Sequence, residues 1–286
     1  MTTMTTKTEK RPDGKKRSKK KQTMAQRADR HVLYQDAVQC VEAEIDFVDD
    51  TYKAIRGRRA TLIREDFCGT ANTSCEWVRR RRTNRAIGVD LDEEVLEWGR
   101  EHNVGALRGD AADRVELRPE NVLEVRTEPV DAVLAMNFSY QIFKDRKVLL
   151  EYLTSVRESL ADEGVLFMDA YGGYESYKTS REKREIDDDV TYVWDQNEYD
   201  PISGEMTCFI HFHFSDGSKM RQAFEYNWRM YTLPEIKDLL DEAGFSKVTV
   251  YWEGVDEETG EGDGDFQPAE EAEQDPAWIC YITAEK

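Results

Sequence analysis

Two acids and one glycine are the residues whose types and spacing suggest chemistry. In the stretch LIREDFCGTANTS, residues 62–74, an apolar run ends at Glu65 and Asp66, turns through Phe67-Cys68-Gly69-Thr70-Ala71 and enters a helix at Asn72 or Thr73. A further acid, Asp90, closes the next strand-like run, AIGVDLD. A glycine in such a turn allows close backbone approach to a ligand, and the helix start behind it offers free N–H groups. A carboxylate at the end of the second strand can accept hydrogen bonds from both hydroxyls of a ribose. A dinucleotide site would want further glycines beneath a pyrophosphate, where this chain has Phe67 and Ala71 or Asn72. A phosphate loop ending in Gly-Lys-Ser/Thr is also missing. The pattern indicates a nucleoside without a pyrophosphate.

These groups need a scaffold that brings strand ends together. Apolar positions Val38, Val41, Ile45, Val48, Tyr52 and Ile55 recur at helical spacing and predict one long helix, opened by a cap at Asp36 and Gln39. Strand and helix patterns then alternate: strand 60–65, helix 72–82, strand 85–91, helix 93–101 with Asp92 as N-cap, a short strand 106–109, strand 130–136, helix 144–161 and strand 165–170. Such alternation predicts an α/β protein with a doubly wound, mostly parallel sheet. After Gly172-Gly173 the rhythm becomes that of antiparallel hairpins turning at 201–204 and 215–218. A helix with a Thr232/Glu235 capping box, ending at Gly244, precedes two last strands, 247–252 and 277–283. The acidic stretch between them reads as a disordered loop.

The turn Glu65-Asp66-Phe67-Cys68-Gly69-Thr70-Ala71 resembles the first motif of class I S-adenosylmethionine-dependent methyltransferases, commonly D/E-x-G-x-G-x-G, with Phe67 and Ala71 in place of the outer glycines. Further stretches resemble later motifs of that family in order: GVDLDEEVLEWGRE, GDAAD, VDAVLAMNFSYQIF, SLADEGVLFMDAYGG and YTLPEIKDLLDEAGFSKVTVYW. The resemblance implies a Rossmann-like, seven-stranded sheet with its last strand antiparallel and an antiparallel hairpin insertion. It implies S-adenosyl-L-methionine as cofactor, held by Glu65, Phe67, Cys68, Gly69, Thr70 and Ala71, with Asp90 and Leu91 at the ribose, Asp110 and Ala111 near the adenine, and Asn137 and Phe138 facing the methionine end. The implied activity is methyl transfer to a nitrogen or oxygen of a small-molecule acceptor, with no metal. The chain divides accordingly into a basic disordered tail (1–25), a helical segment (26–59), the cofactor-binding core (60–175), a β insertion covering the substrate site (176–231) and a C-terminal part (232–286) holding the acidic loop 253–276.

Several side chains admit two readings. In TCFIHFHF, alternation puts Cys208, Ile210, Phe212 and Phe214 on one face and His211 and His213 on the other, which is either solvent or the roof of the acceptor pocket. Tyr140, His211, His213 and Tyr231 are candidates for a catalytic base, and Tyr140, Tyr171 and Arg229 for acceptor contacts. Cys68 reads as a small inert residue rather than a nucleophile, since no histidine is near it in sequence. Tyr34 either folds over the cofactor or staples the helix behind it. Arg79 to Arg82 close a helix, where cations suit the dipole, or form a nucleic-acid patch.

Composition narrows the classes. With 286 residues, 39% of them hydrophobic, the chain can bury a core. No run approaches a membrane span and no apolar segment follows the basic start, so a cytoplasmic location without membrane partners is expected. The five cysteines are scattered and never spaced CxxC, which argues against a disulfide framework and a zinc site. Net charge is −19, yet residues 1–21 carry nine Lys/Arg against Glu9 and Asp13; removing that +7 leaves −26 on the rest. So acidic a body repels phosphate backbones and disfavours nucleic acid. The rival readings are an RNA or protein methyltransferase using the basic tail, and a non-catalytic interaction protein with a degenerate cofactor site. The oligomeric state is left open.

Overall fold

The computed structural model describes residues 21–256 and 262–286. Most of the expected basic tail therefore lies outside the described residues. Its end is ordered: helix α1 (Met24–Arg27) is closed by a Thr23/Gln26 capping box. The Met24 N–H is held by Asp216 of a hairpin turn.

The expected long helix is two helices. Asp29, not Asp36, caps α2 (Arg30–Val38), accepting from the His31 and Val32 N–H groups. The chain breaks at Gln39-Cys40 before α3 (Val41–Arg56), which ends at Gly57 in the left-handed region. Gln39 opens no helix but ends α2 as its C-cap, and its side-chain Oε1 accepts from Asn72 Nδ2 at 3.1 Å.

The alternating region comprises β1 (Leu62–Asp66), α4 (Asn72–Arg80), β2 (Arg85–Asp90), α5 (Glu93–Gly99), β3 (Val115–Pro119), β4 (Val130–Ala135), α6 (Arg146–Ser159) and β5 (Leu160–Gly172). Asp92 caps α5 as expected. No strand forms at 106–109. Helix α5 continues into a π-helical turn, Arg100–Val104, and the chain spends residues 105–114 on turns, so the third strand starts at Val115.

Four antiparallel strands follow: β6 (Ser180–Glu185), β7 (Val190–Tyr199), β8 (Glu205–Phe214) and β9 (Lys219–Arg229). Then come α7 (Leu233–Glu242), with its Thr232/Glu235 capping box, β10 (Lys247–Val255), β11 (Gly262–Pro268) and β12 (Trp278–Glu285). Part of the acidic segment expected to be disordered is thus a strand. β11 pairs with β10, and Phe266 packs on Tyr281 at 4.5 Å between centroids. One aromatic outweighs an otherwise solvated composition.

The main sheet has the order β11-β10-β12-β5-β4-β1-β2-β3. It is the expected doubly wound sheet with β12 antiparallel to both neighbours, plus β11 as an eighth, edge strand. Helices α3 and α4 supply Ile45, Val48, Tyr52, Trp77 and Val78 to one face, while α6 and α7 supply Leu149, Leu153, Val156, Ile236 and Leu239 to the other. Strand order reverses between β1 and β4, which opens a crevice at their carboxyl ends. Among the described residues no helix is long and apolar enough to cross a membrane.

Candidate active site

The loop from β1 to α4 keeps the backbone of a glycine loop without the glycines. Phe67, Gly69 and Ala71 all have positive φ, at 58°, 52° and 56°. A non-glycine residue there is strained by roughly 1–2 kcal/mol, so the surroundings must hold it. Phe67 is held by its ring, which packs into the core 5.9 Å from Phe143 and 5.7 Å from Tyr152. Ala71 is fully buried. Gly99 of α5 presses on the loop, since a Cβ there would stand 2.5 Å from the Thr70 carbonyl oxygen. Asn103, in the π-helical turn, donates to that same oxygen at 2.8 Å. From α2, Gln35 Nε2 donates to the Thr70 hydroxyl at 2.8 Å.

Two N–H groups, that of Gly69 in the loop and that of Ser74 in the first turn of α4, are taken by carboxylates. Glu65 accepts from the Ser74 N–H at 2.8 Å and from its hydroxyl at 2.5 Å, which caps α4. Burial pushes the Glu65 carboxyl up to about 7. Asp90 accepts from the Gly69 N–H at 2.8 Å and from the Asp92 N–H at 2.9 Å. A phosphate at this loop would therefore face two acids. Each Asp90 oxygen keeps a lone pair for a hydroxyl, and Leu91 beside it is 67% exposed. Cys68 is buried, and burial drives its thiol well up, which leaves no thiolate for nucleophilic work.

Asp110 and Ala111 are not brought to this crevice. They precede β3 and sit at its amino end, beside Val78 and Arg82 at the end of α4, with Asp110 facing Arg114 at 3.9 Å. The register sets Asp90 level with Pro119, so residues 120–122 continue from the carboxyl end of β3 instead. The resemblance of GDAAD to a motif concealed this, because the strand begins a π-turn and two bends later than its spacing suggests.

At the end of β4, Asn137 and Phe138 are also left-handed, at φ 57° and 58°. Their N–H groups donate to Asp169 of β5 at 2.7 and 2.8 Å. Burial pushes the Asp169 carboxyl up to about 7 against these two donors. Asn137 and Phe138 border a cavity of about 420 Å³ between the main sheet and the inward face of β6–β9. Its walls are aromatic: Tyr34, Tyr171, Trp194, Tyr226, Trp228 and Trp278. Three carboxylates, Glu175, Glu182 and Glu253, also line it. Tyr34 reaches the cavity from α2, hydrogen-bonded to Tyr226. Its ring also packs 4.8 Å from Phe224 between centroids.

Of the expected acceptor residues, Tyr171 alone lines this cavity, with its hydroxyl 3.1 Å from the Met206 sulfur. Tyr140 is fully buried and donates to the Asp169 carbonyl oxygen at 3.0 Å. Tyr231 is buried and donates to the Phe143 carbonyl oxygen at 2.6 Å. Arg229 lies over the Tyr231 ring and bonds to the Lys144 carbonyl oxygen. His211 and His213 are on the outward face of β8, because Ile210 faces the cavity and alternation turns its neighbours away. None of these five side chains lines the cavity that Asn137 borders. Arg79, Arg80 and Arg81 are engaged by Glu76, Asp46 and Asp49. Phe224, Tyr226 and Trp228 alternate along β9, a pattern that marks one aromatic face. Gly99, Asn103 and Asp169 carry no comparable signal. Among the described residues no group of three or more His, Cys, Asp or Glu could hold a metal ion.

No protein-family model matches the chain, and no curated protein matches it in sequence. Solved structures do. A S-adenosylmethionine-dependent methyltransferase from Clostridium acetobutylicum is 16% identical with a TM-score of 0.65, covering 89% of this chain and 96% of that one. An amino pentose methyltransferase from Micromonospora echinaspora, involved in calicheamicin biosynthesis and solved with bound S-adenosylmethionine, is 15% identical with a TM-score of 0.64 over 90% of this chain and 96% of that one. A sugar N-methyltransferase from Streptoalloteichus is 13% identical with a TM-score of 0.60 over 96% and 99%. At such identity the likeness establishes a shared Rossmann-like fold.

Proposed function

We propose that the chain transfers a methyl group from S-adenosylmethionine to a nitrogen of a small-molecule amine. The observation that carries this reading is the occupied loop: Glu65 on the Ser74 N–H and Asp90 on the Gly69 N–H favour a nucleoside whose tail has no phosphate. Asp90 is suited to the ribose hydroxyls, Leu91 and residues 120–122 to the adenine, and the loop with Asn137 and Phe138 to the methionine end. The cofactor, when bound, supplies an electrophilic methyl on a sulfonium.

This chain's part is then alignment, exclusion of water and removal of one proton. Alignment of acceptor and methyl supplies most of the rate in such a displacement. The aromatic walls favour a cation through their π faces, and Glu175, Glu182 and Glu253 add negative charge at the same cavity. An amine attacks only as the free base, so its ammonium proton must leave first; these carboxylates are the nearby acceptors. Similarity to structures described as amino pentose and sugar N-methyltransferases supports nitrogen over oxygen. An RNA substrate finds little support in the arginine run, of which Arg79, Arg80 and Arg81 are engaged by Glu76, Asp46 and Asp49.

The test is turnover with a panel of amino sugars and their hydroxyl counterparts, read as S-adenosylhomocysteine formed. Amines should turn over, and Glu182→Gln should lower kcat/KM by about tenfold, the loss of roughly one charge-assisted contact. Turnover of alcohols alone would reject the amine reading.

A further inference from the structure

We propose that the outward face of the β6–β9 sheet is a second binding site, taking a compact anion with two or more phosphate groups. Arg181 and Lys183 on β6, His211 and His213 on β8, and Lys219 and Arg221 on β9 line a concavity of about 460 Å³ with Val193 in its wall. Cross-strand register builds it: Lys183 lies level with Val193, Val193 with His211, and His213 with Lys219. Among the described residues no carboxylate lines it. Asp195 is the acid that reaches it from below, and it is buried and already shared by Arg181 at 2.6 Å and His211 at 3.1 Å. Glu185 stands one row further along β6, at the rim, level with Thr191.

The groove runs against the rest of the molecule. Residues 22–286 carry a net charge of −26, so acids to neutralise a stray cation abound. Some cations are so neutralised, Arg58 by Asp131 and Glu163, Arg81 by Asp49, and Arg146 by Glu242, while single ones such as Arg82 and Lys237 stand unpaired among the described residues; the groove differs in gathering several at one place. Among the described residues Lys183, Lys219 and Arg221 make no ion pair. Their fields reach His213, whose imidazole is held below its ordinary value by burial and then by Lys219, Lys183, His211 and Arg221. His211 is fixed in one tautomer: its Nδ1 accepts from the Gln222 N–H at 2.8 Å, which leaves Nε2–H to donate to Asp195.

Two guanidinium forks with two ammonium groups match the oxygens of a di- or triphosphate, by planar pairing and by point charge. The surround decides the size of the ligand. An extended polyanion such as RNA would run off the patch onto acidic surface, whereas a ligand no wider than the groove does not. The site lies on the opposite side of the sheet from the aromatic cavity and is independent of the proposed methyl transfer.

The probe is inorganic triphosphate, titrated at low salt into the full-length chain while the histidine imidazole signals are followed by NMR. The chain has four histidines, none within the basic first 21 residues, so the groove is read apart from the tail. The expected result is a saturable shift confined to His211 and His213, with affinity about tenfold weaker in Lys183→Gln/Arg221→Gln. Should that double variant not fold, Lys219→Gln alone should weaken binding about threefold. Saturation without a shift at His213, a shift that the substitutions leave unchanged, or tighter binding of a ten-nucleotide RNA than of triphosphate would each overturn the proposal.

Discussion

The β1–α4 loop and the turn after β4 both hold non-glycine residues in the left-handed region, and each is tied by a carboxylate from the neighbouring strand. They differ in what the carboxylate has left to give. Asp169 is buried, with one oxygen on each of two consecutive N–H groups, beneath the fully buried Tyr140. Asp90 is only partly buried, beside the exposed Leu91, and its two bonds leave outward lone pairs. The same device serves as a clamp in one turn and as clamp plus ligand receptor in the other.

The contrast predicts that Asp169→Ala damages the fold while Asp90→Ala damages binding. Losing Asp169 strands two half-buried donors, so urea unfolding should show a loss of about 2 to 3 kcal/mol; a loss below about 1 kcal/mol would mean the turn holds itself. Gly99→Ala comes next. Its methyl would meet the Thr70 backbone at 2.5–3.0 Å, and the displaced loop should cost about 2 kcal/mol of stability and weaken cofactor binding. Unaltered binding in that variant would show that the loop's position is unimportant.

A third acid acts on both turns. Glu44 of α3 is buried, its Oε2 has no partner, burial pushes it up to about 7, and its charge in turn raises Glu65 and Asp169. With the folded value above the unfolded one, Glu44 holds its proton in the fold after the unfolded chain has lost it. Its contribution to stability therefore falls as pH rises from its ordinary 4.5 to about 7. Glu44→Gln should remove about 1 kcal/mol of the decline between pH 6 and 8, seen as a flatter plot of unfolding midpoint against pH. A smaller gain, roughly 0.5 kcal/mol, is expected from Ala71→Gly, which relieves left-handed strain but gives up a buried methyl. At the bottom of the scale, His211→Gln and His213→Gln should leave kcat unchanged, since both rings face away from Asn137. A large fall in kcat would place the chemistry on the wrong face of β8.

Much of the crevice is legible in the sequence because its signals are local. Gly69 in a strand-to-helix turn, Asp90 ending a strand, and the caps Asp92 and Thr232 each depend on a few neighbouring residues. What the sequence misses depends on distant packing. Alternation groups His211 with His213, but only the sheet's seating shows which side meets the cavity. Asn103 reaches Thr70 because the chain passes through a π-helical turn, the same detour that carries Asp110 to the wrong end of β3. β11 is acidic and glycine-containing, and depends on Phe266 finding Tyr281. Asp169 reads as one more strand residue until the turn it clamps is seen.

The most direct test of the central claim is isothermal titration of the folded protein with S-adenosylmethionine and S-adenosylhomocysteine, alongside Asp90→Ala. Both should bind at micromolar affinity, weakened by about tenfold to a hundredfold in the variant while its unfolding midpoint stays near that of the parent. Absence of binding by the parent chain, or equal binding by the variant, would contradict that claim and leave the left-handed loop as architecture alone.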